Sequence, residues 1–126
     1  MSKKKVLIVD DEPDFLKIIK LNLEEGGKYE VRTLLSAKDL IFELHSFHPD
    51  IILLDLIMPG IGGIEACQML NNDPIGQEVP IIILSALEKD KDKLAAYKVG
   101  VLDYLVKPMP KEVLIAKIEK VLRAKH

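Results

Sequence analysis

Several features that define whole classes of protein are scarce or missing in this sequence of 126 residues. Cys67 is the only cysteine, so the chain forms no internal disulfide, which suits a reducing compartment. No apolar run approaches the ~18 residues that a membrane-spanning helix requires. The basic N-terminus leads into only the four apolar residues 6–9, too few for the core of a signal peptide. We therefore expect a cytoplasmic protein without membrane contact, in which Cys67 packs in a helix.

A strong excess of positive charge is also missing. The chain has 18 lysines and arginines against 20 aspartates and glutamates, so its formal net charge is −2. Without a basic field, direct binding to nucleic acid is not expected. The one basic cluster, at residues 3–5, is interpreted as a solvated terminus. A hydrophobic content of 48% is enough for a buried core, and we predict that residues 1–126 form one domain.

Two hydrophobic patterns alternate along the chain. Short apolar runs are typical of strands that are buried on both faces of a parallel sheet. Such runs, with two weaker ones, predict strands at 6–9, 30–34, 51–54, 81–84 and 103–106, the last being a half-polar edge strand. Helical periodicity predicts helices at 13–25, 36–48, 63–70, 89–99 and 111–123. This alternation indicates an α/β domain with a parallel sheet and helices on both faces.

Polar side chains follow the predicted strands at their carboxyl ends, where open parallel sheets bind ligands. They comprise acids after the first and third strands, a hydroxyl after the fourth and a base after the fifth: Asp10, Asp11, Glu12, Asp55, Ser85 and Lys107. Because loops are generally polar, any one of these residues could be accounted for without a function. The whole set at one edge of a sheet is better explained by a binding site.

The chemistry of this set favours magnesium and phosphate. Carboxylate oxygens are ligands that Mg²⁺ prefers, and Mg²⁺ in turn favours phosphate oxygens. A lysine and a hydroxyl nearby would complete a cage for a phosphoryl group, and one carboxylate could attack phosphorus to form an aspartyl-phosphate. His45 and His48 lack further zinc ligands, so we expect them at the surface. No glycine-rich phosphate loop is present, so a bound nucleotide is not indicated.

The sequence resembles the receiver domains of two-component response regulators over nearly its whole length. The matching motifs are residues 9–13, residues 49–55 with Met58, Pro59 and Gly63, residues 80–86, and Gly100 with residues 103–105, Lys107 and Pro108. The spacings also fit, with 44 residues from Asp11 to Asp55, 30 to Ser85 and 22 to Lys107. The resemblance implies a flavodoxin-like (βα)5 fold whose five parallel strands lie in the order 2-1-3-4-5.

The resemblance also implies how a phosphoryl group would be handled. Asp55 would accept it from the phosphohistidine of a sensor histidine kinase or a histidine phosphotransfer protein. Asp10, Asp11 and Asp55 would hold Mg²⁺ together with the backbone carbonyl of Ile57. Lys107 would pair with the phosphoryl group, and the family pattern implies a cis peptide bond between Lys107 and Pro108.

A conformational switch is part of the same resemblance. Ser85 would move to hydrogen-bond the phosphoryl group, and Tyr104 would swing inward into the vacated space. The surface formed by the fourth helix, the fifth strand and the fifth helix (the α4-β5-α5 surface, residues 89–123) would then change. An output domain, a target protein or a second copy of the chain would bind there. The chain would catalyse only its own phosphorylation and dephosphorylation, and would not be an enzyme with a separate substrate.

Some positions depart from the commonest family pattern. Ser85 replaces the frequent threonine but keeps the hydroxyl. Gly62 stands where an aspartate often caps the third helix, a replacement that costs only a few tenths of a kcal/mol. Ile57 and Leu87 lie two residues after Asp55 and Ser85, at positions that tune the loss of phosphate in the family. Both are apolar and cannot orient a water molecule, so we expect slow self-dephosphorylation.

Other functions remain open from the residues alone. The first is a Mg²⁺-dependent phosphatase with an aspartate nucleophile, although such an enzyme needs a second acid two residues beyond the nucleophile, where Ile57 stands. The second is a flavodoxin-like cofactor binder, which would need hydroxyl- or glycine-rich loops where this chain has acids. The third is an interaction module that works without phosphorylation, which would be expected to have lost a site residue.

Overall fold

Five short strands form one parallel sheet in the computed structural model, which describes residues 2–86 and 103–124. The strands are β1 (Lys4–Val9), β2 (Tyr29–Leu34), β3 (Ile51–Asp55), β4 (Ile81–Ser85) and β5 (Asp103–Val106). Their order across the sheet is β2-β1-β3-β4-β5, and every neighbouring pair is parallel. The predicted fold class and strand order are therefore confirmed.

Four α-helices are present in the described ranges: α1 (Pro13–Glu24), α2 (Leu40–Phe47), α3 (Gly63–Asn71) and the C-terminal helix (Lys111–Ala124). The predicted helix at 89–99 lies outside the described residues. None of the described helices is long and apolar enough to span a membrane.

The start of α2 differs from the prediction. The sequence pattern predicts a helix from residue 36, but residues Ala37–Asp39 form a turn of 3-10 helix before the α-helix begins at Leu40. The hydroxyl of Ser36 accepts a hydrogen bond from the backbone N–H of Lys38 at 3.3 Å. Ser36 therefore caps the tighter turn, because its oxygen reaches a donor only two residues away.

The apolar strand residues point alternately to the two faces of the sheet, and each face has its own core. One core packs α2 and α3 against residues such as Leu7 and Leu54, and Cys67 of α3 is fully buried there as predicted. The other core packs α1 and the C-terminal helix against residues such as Ile8 and Leu53. The three central strands are buried on both sides, which explains their continuous apolar runs.

The half-polar pattern of β5 reflects its place at the edge of the sheet, as predicted. Asp103 in this strand forms an ion pair of 3.0 Å with Lys117 of the C-terminal helix. In register, Val9 of β1 lies beside Leu54 of β3, and Ser85 of β4 lies beside Val106 of β5. Asp10, Asp55 and Lys107 directly follow Val9, Leu54 and Val106, so they meet at one edge of the sheet.

Gly63 allows α3 to begin directly against the end of β3. Its backbone N–H donates to the carbonyl of Leu56 at 2.9 Å. A Cβ atom at this position would lie 2.5 Å from the carbonyl oxygen of Asp55 and 2.7 Å from the Cα of Leu56. The neighbouring Gly62 has extended backbone angles and space around it, because a Cβ atom there would lie 3.7 Å from its nearest neighbour.

These two glycines give a matched test of packing around Asp55. Gly63→Ser is expected to lower the free energy of unfolding by about 2 kcal/mol, because the new side chain collides with backbone atoms. Gly62→Ser is expected to raise it by about 0.5 kcal/mol, because serine is a better N-cap than glycine and restricts the unfolded chain. Urea unfolding followed by circular dichroism measures both; equal effects of the two substitutions would contradict the close approach at Gly63.

Candidate functional site

Four carboxylates meet at the carboxyl edge of the sheet. Asp10, Asp11, Glu12 and Asp55 each bring an oxygen atom to within 4.8 Å of the others. Asp10 is fully buried and Asp55 nearly so. The adjacency of β1 and β3 causes this crowding, because Asp10 and Asp55 end neighbouring strands. Like charges at such distances repel, so the cluster needs a cation or a proton.

Lys107 brings a positive charge into this cluster from the end of β5. Its ammonium donates to Asp10 Oδ2 at 2.7 Å and to Glu12 Oε1 at 2.7 Å, and it lies 3.6 Å from Asp55 Oδ2. The backbone N–H of Lys107 donates to the carbonyl of Ser85 at 2.9 Å, and the Lys107–Pro108 peptide bond is cis. The side chain is only 8% exposed, so the lysine belongs to the interior of the site.

The buried charges perturb each other's titration. The pKa of Asp55 is raised to about 6, mainly by burial, and the charge of Asp10 raises it by more than the charge of Lys107 lowers it. Burial alone would lower the pKa of Lys107, but its hydrogen bonds to Asp10 and Glu12 and the charge of Asp55 raise it overall. Asp55 is therefore an acid whose ionised form is disfavoured until a further cation reaches it.

Ser85 and Ile57 border the same cleft, which has a volume of about 340 Å³. Ser85 is buried at the end of β4, next to the β5 edge that carries Lys107. The backbone N–H of Ile57 donates to Asp55 Oδ1 at 3.3 Å, while its side chain is 60% exposed. Ile57 thus presents an apolar surface beside the carboxylate. Leu87, the other predicted tuning position, lies outside the described residues.

Tyr104 lies in β5 opposite Ile83 and is buried in the core that packs against α2 and α3. Its ring is therefore inside the fold in this structure. The two internal histidines lie away from the acidic cluster. His45 is exposed and lies 2.7 Å from Asp73, and His48 ends α2 at the surface with a left-handed backbone. Both are at the surface, as expected.

One contact of the site had no signal in the sequence. The Lys107 ammonium lies 4.4 Å from the centre of the Phe15 ring, within the range of a cation–π interaction. The apolar stripe of α1 does not include Phe15, which packs only partly against the core. The sequence places Glu12 and Lys107 at the same edge of the sheet, but it does not indicate that Glu12 rather than another acid of the cluster contacts Lys107. The structure shows this hydrogen bond, which joins residues 95 positions apart in the chain.

The donor atoms of this edge fit Mg²⁺. They are the carboxylate oxygens of Asp10, Asp11, Glu12 and Asp55, with no sulfur or imidazole among them. Such hard oxygen ligands favour Mg²⁺ over transition metals. The raised pKa of Asp55 agrees with this, because burial is its main cause and the charge of Asp10 raises it by more than the charge of Lys107 lowers it.

Comparison with known proteins identifies relatives of this chain. The family model of the response regulator receiver domain matches residues 6–119. The phosphate regulon transcriptional regulatory protein PhoB of Rhizobium meliloti is 34% identical over 119 residues, which cover 94% of this chain and 52% of that protein. The DNA-binding dual master transcriptional regulator RpaA of Synechocystis is 34% identical over 122 residues, covering 94% of this chain and 49% of that protein. The chain thus spans about half the length of these curated relatives.

A solved structure shows the same fold. The chemotaxis protein CheY4 of Vibrio cholerae superposes with a TM-score of 0.90 at 27% sequence identity. The match covers 95% of this chain and 99% of that one. The sheet order described above is therefore that of a known architecture.

The charge conflict at Asp55 predicts a pH-dependent effect of Asp55→Asn on the metal-free protein. The pKa of Asp55 is about 6 in the folded chain, whereas the ordinary value of 3.8 applies in the unfolded chain. The folded chain therefore holds the proton of the Asp55 carboxyl more tightly than the unfolded chain. The wild type therefore loses stability as the pH rises from about 3.8 to about 6. The asparagine variant avoids the loss, so its advantage in free energy of unfolding should grow from about 0.5 kcal/mol at pH 4 to about 3 kcal/mol at pH 7.5.

Urea unfolding in the presence of a chelator measures this difference at several pH values. Asp39→Asn, at an exposed aspartate, is the control and should show no pH-dependent gain. If the stability advantage of Asp55→Asn is the same at pH 4 and pH 7.5, the pKa of Asp55 is not raised in the folded chain.

Proposed function

Because the chain belongs to the response regulator receiver domain family, we propose that Asp55 is its phosphoacceptor and that residues 1–126 form one receiver domain. The chain is a receiver domain of the two-component type. The observation that carries the residue assignment is the meeting of Lys107 with the buried carboxylates of Asp10 and Asp55 at one strand edge.

Asp55 acts as the nucleophile in this proposal. One of its carboxylate oxygens forms the new bond to phosphorus while the bond between phosphorus and the donor's imidazole nitrogen breaks. The electron pair of the broken bond leaves on the imidazole. The N–H of Ile57, at 3.3 Å from Oδ1, orients the carboxylate. The reaction requires the ionised form of Asp55, so cations in the site promote it.

Cations neutralise the transferred group in the proposed mechanism. Asp10, Asp11 and Asp55, with the carbonyl of Ile57, would hold Mg²⁺, which when bound neutralises phosphoryl oxygens during transfer. Lys107 lies 3.6 Å from Asp55 Oδ2 and supplies the second positive charge. Ser85, buried at the end of β4, donates its hydroxyl hydrogen to a phosphoryl oxygen.

We propose that signal output follows from a rearrangement of Ser85 and Tyr104 on phosphorylation, although the ring of Tyr104 is already buried in this structure. Phosphorylation biases the domain between two conformations, and the movement alters the surface that includes β5 and the C-terminal helix. We propose that this surface contacts an output domain, a target protein or a second copy of the chain. The donor is a sensor histidine kinase or a histidine phosphotransfer protein, and the exchange takes place in the cytoplasm. Catalysis is limited to the domain's own phosphorylation and dephosphorylation.

A phosphatase function is not favoured. An aspartate-nucleophile phosphatase needs a second acid two residues beyond the nucleophile to protonate its leaving group. Ile57 occupies this position with an exposed apolar side chain. An interaction module that works without phosphorylation is also not favoured. Asp10, Asp55 and Lys107 are all present, and Lys107 forms ion pairs with both aspartates.

Incubation with acetyl phosphate and Mg²⁺ tests the assignment of Asp55. We expect intact-mass spectrometry to detect one added phosphoryl group on the wild type and none on Asp55→Asn, because an amide is not a nucleophile toward phosphorus. Asp39→Asn is the control and should be phosphorylated like the wild type. An unchanged adduct on Asp55→Asn would exclude Asp55 as the acceptor, and donor hydrolysis without an adduct would favour a phosphatase.

The apolar side chain of Ile57 predicts a long-lived phosphorylated state. Replacing it in Ile57→Asn gives the site an amide that can orient a water molecule toward phosphorus. The phosphoryl lifetime should shorten by about three- to tenfold, and Leu87→Asn should act in the same direction. Leu21→Asn, at an exposed leucine of α1, is the control for surface polarity. Loss of the adduct, followed by mass after donor removal, measures the lifetime; unchanged lifetimes in both variants would contradict this role.

A further inference from the structure

The ammonium of Lys107 is shared unequally among three carboxylates. It donates hydrogen bonds of 2.7 Å to both Asp10 and Glu12. Asp55 Oδ2 is farther away, at 3.6 Å. Lys107 therefore makes its shorter contacts with residues other than the proposed phosphoacceptor. A phosphoryl group on Asp55 must compete with these contacts for the ammonium.

Of these two partners, Glu12 is the one that can leave at low cost. Its side chain is 62% exposed, whereas that of Asp10 is 1% exposed. An exposed carboxylate regains water when its ion pair opens, but a buried one does not. Asp10 is further fixed by accepting the backbone N–H of Glu12 at 2.9 Å. The contact between Glu12 and Lys107 is thus the replaceable part of the network.

The position of Glu12 is not explained by helix capping. Glu12 is the N-cap residue of α1, yet its side chain makes no capping hydrogen bond. Its carboxylate instead points to Lys107, across 95 positions of sequence. One turn into the same helix, the Phe15 ring lies 4.4 Å from the same ammonium. The start of α1 therefore supplies an anion and an aromatic face to one lysine.

We propose that Glu12 is a positioning residue that holds Lys107 in the resting site and gives it up to a phosphoryl group on Asp55. The inference rests on the proposed function, because the phosphoryl group is the competitor. While Glu12 binds the ammonium, less positive charge is available to an incoming phosphodonor. Glu12 also keeps Lys107 from closing fully onto Asp55. Removal of its charge should therefore make the site easier to phosphorylate.

Glu12→Gln and Glu25→Gln form the test pair. Each removes one negative charge from an exposed glutamate that pairs with a lysine, and Glu25 pairs with Lys111 at 2.9 Å. In Glu12→Gln, the acetyl phosphate concentration that gives half-maximal phosphorylation should fall about threefold at saturating Mg²⁺. Glu25→Gln should leave it unchanged. Glu12→Asp retains the charge but shortens the reach, so it should give an intermediate value.

A second measurement follows the contact itself, without phosphorylation. A double-mutant cycle of Glu12→Gln and Lys107→Gln, measured by urea unfolding in a chelator, isolates the pairwise interaction. The unfolding constants should show a coupling of about threefold. The same cycle with Glu25→Gln in place of Glu12→Gln should show none. A structural role confined to the start of α1 would not produce coupling to Lys107.

The inference is overturned if Glu12→Gln and Glu25→Gln have the same half-maximal concentration, or if the cycle shows no coupling. These results are separable from a failure of the proposed function. If the wild type takes up no phosphoryl group from the donor, the proposed function fails and this inference fails with it. If the wild type is phosphorylated but Glu12→Gln behaves like Glu25→Gln, only the role of Glu12 is lost.

Discussion

The repulsion between two buried carboxylates, Asp10 and Asp55, is the constraint on which the site depends. Each lies at the end of a central strand, and the neighbouring positions of β1 and β3 bring the two buried carboxylates together. Lys107 offsets the repulsion only in part, because the charge of Asp10 raises the pKa of Asp55 by more than the charge of Lys107 lowers it. A site with unbalanced negative charge attracts a divalent cation, and the cation in turn attracts phosphate. The same repulsion between Asp10 and Asp55 therefore favours binding of the cation and the phosphoryl group.

The rest of the fold holds this conflict in place. The three central strands are buried on both faces, so the strand ends cannot move apart without disturbing two cores. Gly63 lets α3 start against the backbone of Asp55, which fixes the loop that carries Ile57. Lys107 enters from an edge strand, held through its N–H to Ser85. Stability that is given up at such a site is supplied by the packing around it.

Much of the fold could be predicted from local patterns. The runs 6–9, 51–54 and 81–84 are apolar at every position because both faces of those strands are buried. The edge position of β5 could be predicted from its polar residues, because an edge strand is only partly buried. The predicted start of α2 at residue 36 was wrong. A side-chain hydrogen bond of Ser36 stabilises a tighter turn there than the periodicity indicates. The contact of Phe15 with Lys107 could not be predicted, since no periodic pattern marks it.

The sequence by itself determined which chemical groups stand at the strand ends and, through their spacing, which family they resemble. Periodicity and residue type are local properties, so they can be read without coordinates. Only the tertiary structure decided how these groups share their charges. Distances of 2.7 Å to Asp10 and Glu12 and 3.6 Å to Asp55 depend on strand register and side-chain direction. Burial then sets how strongly each charge is felt, and burial is a property of the whole fold.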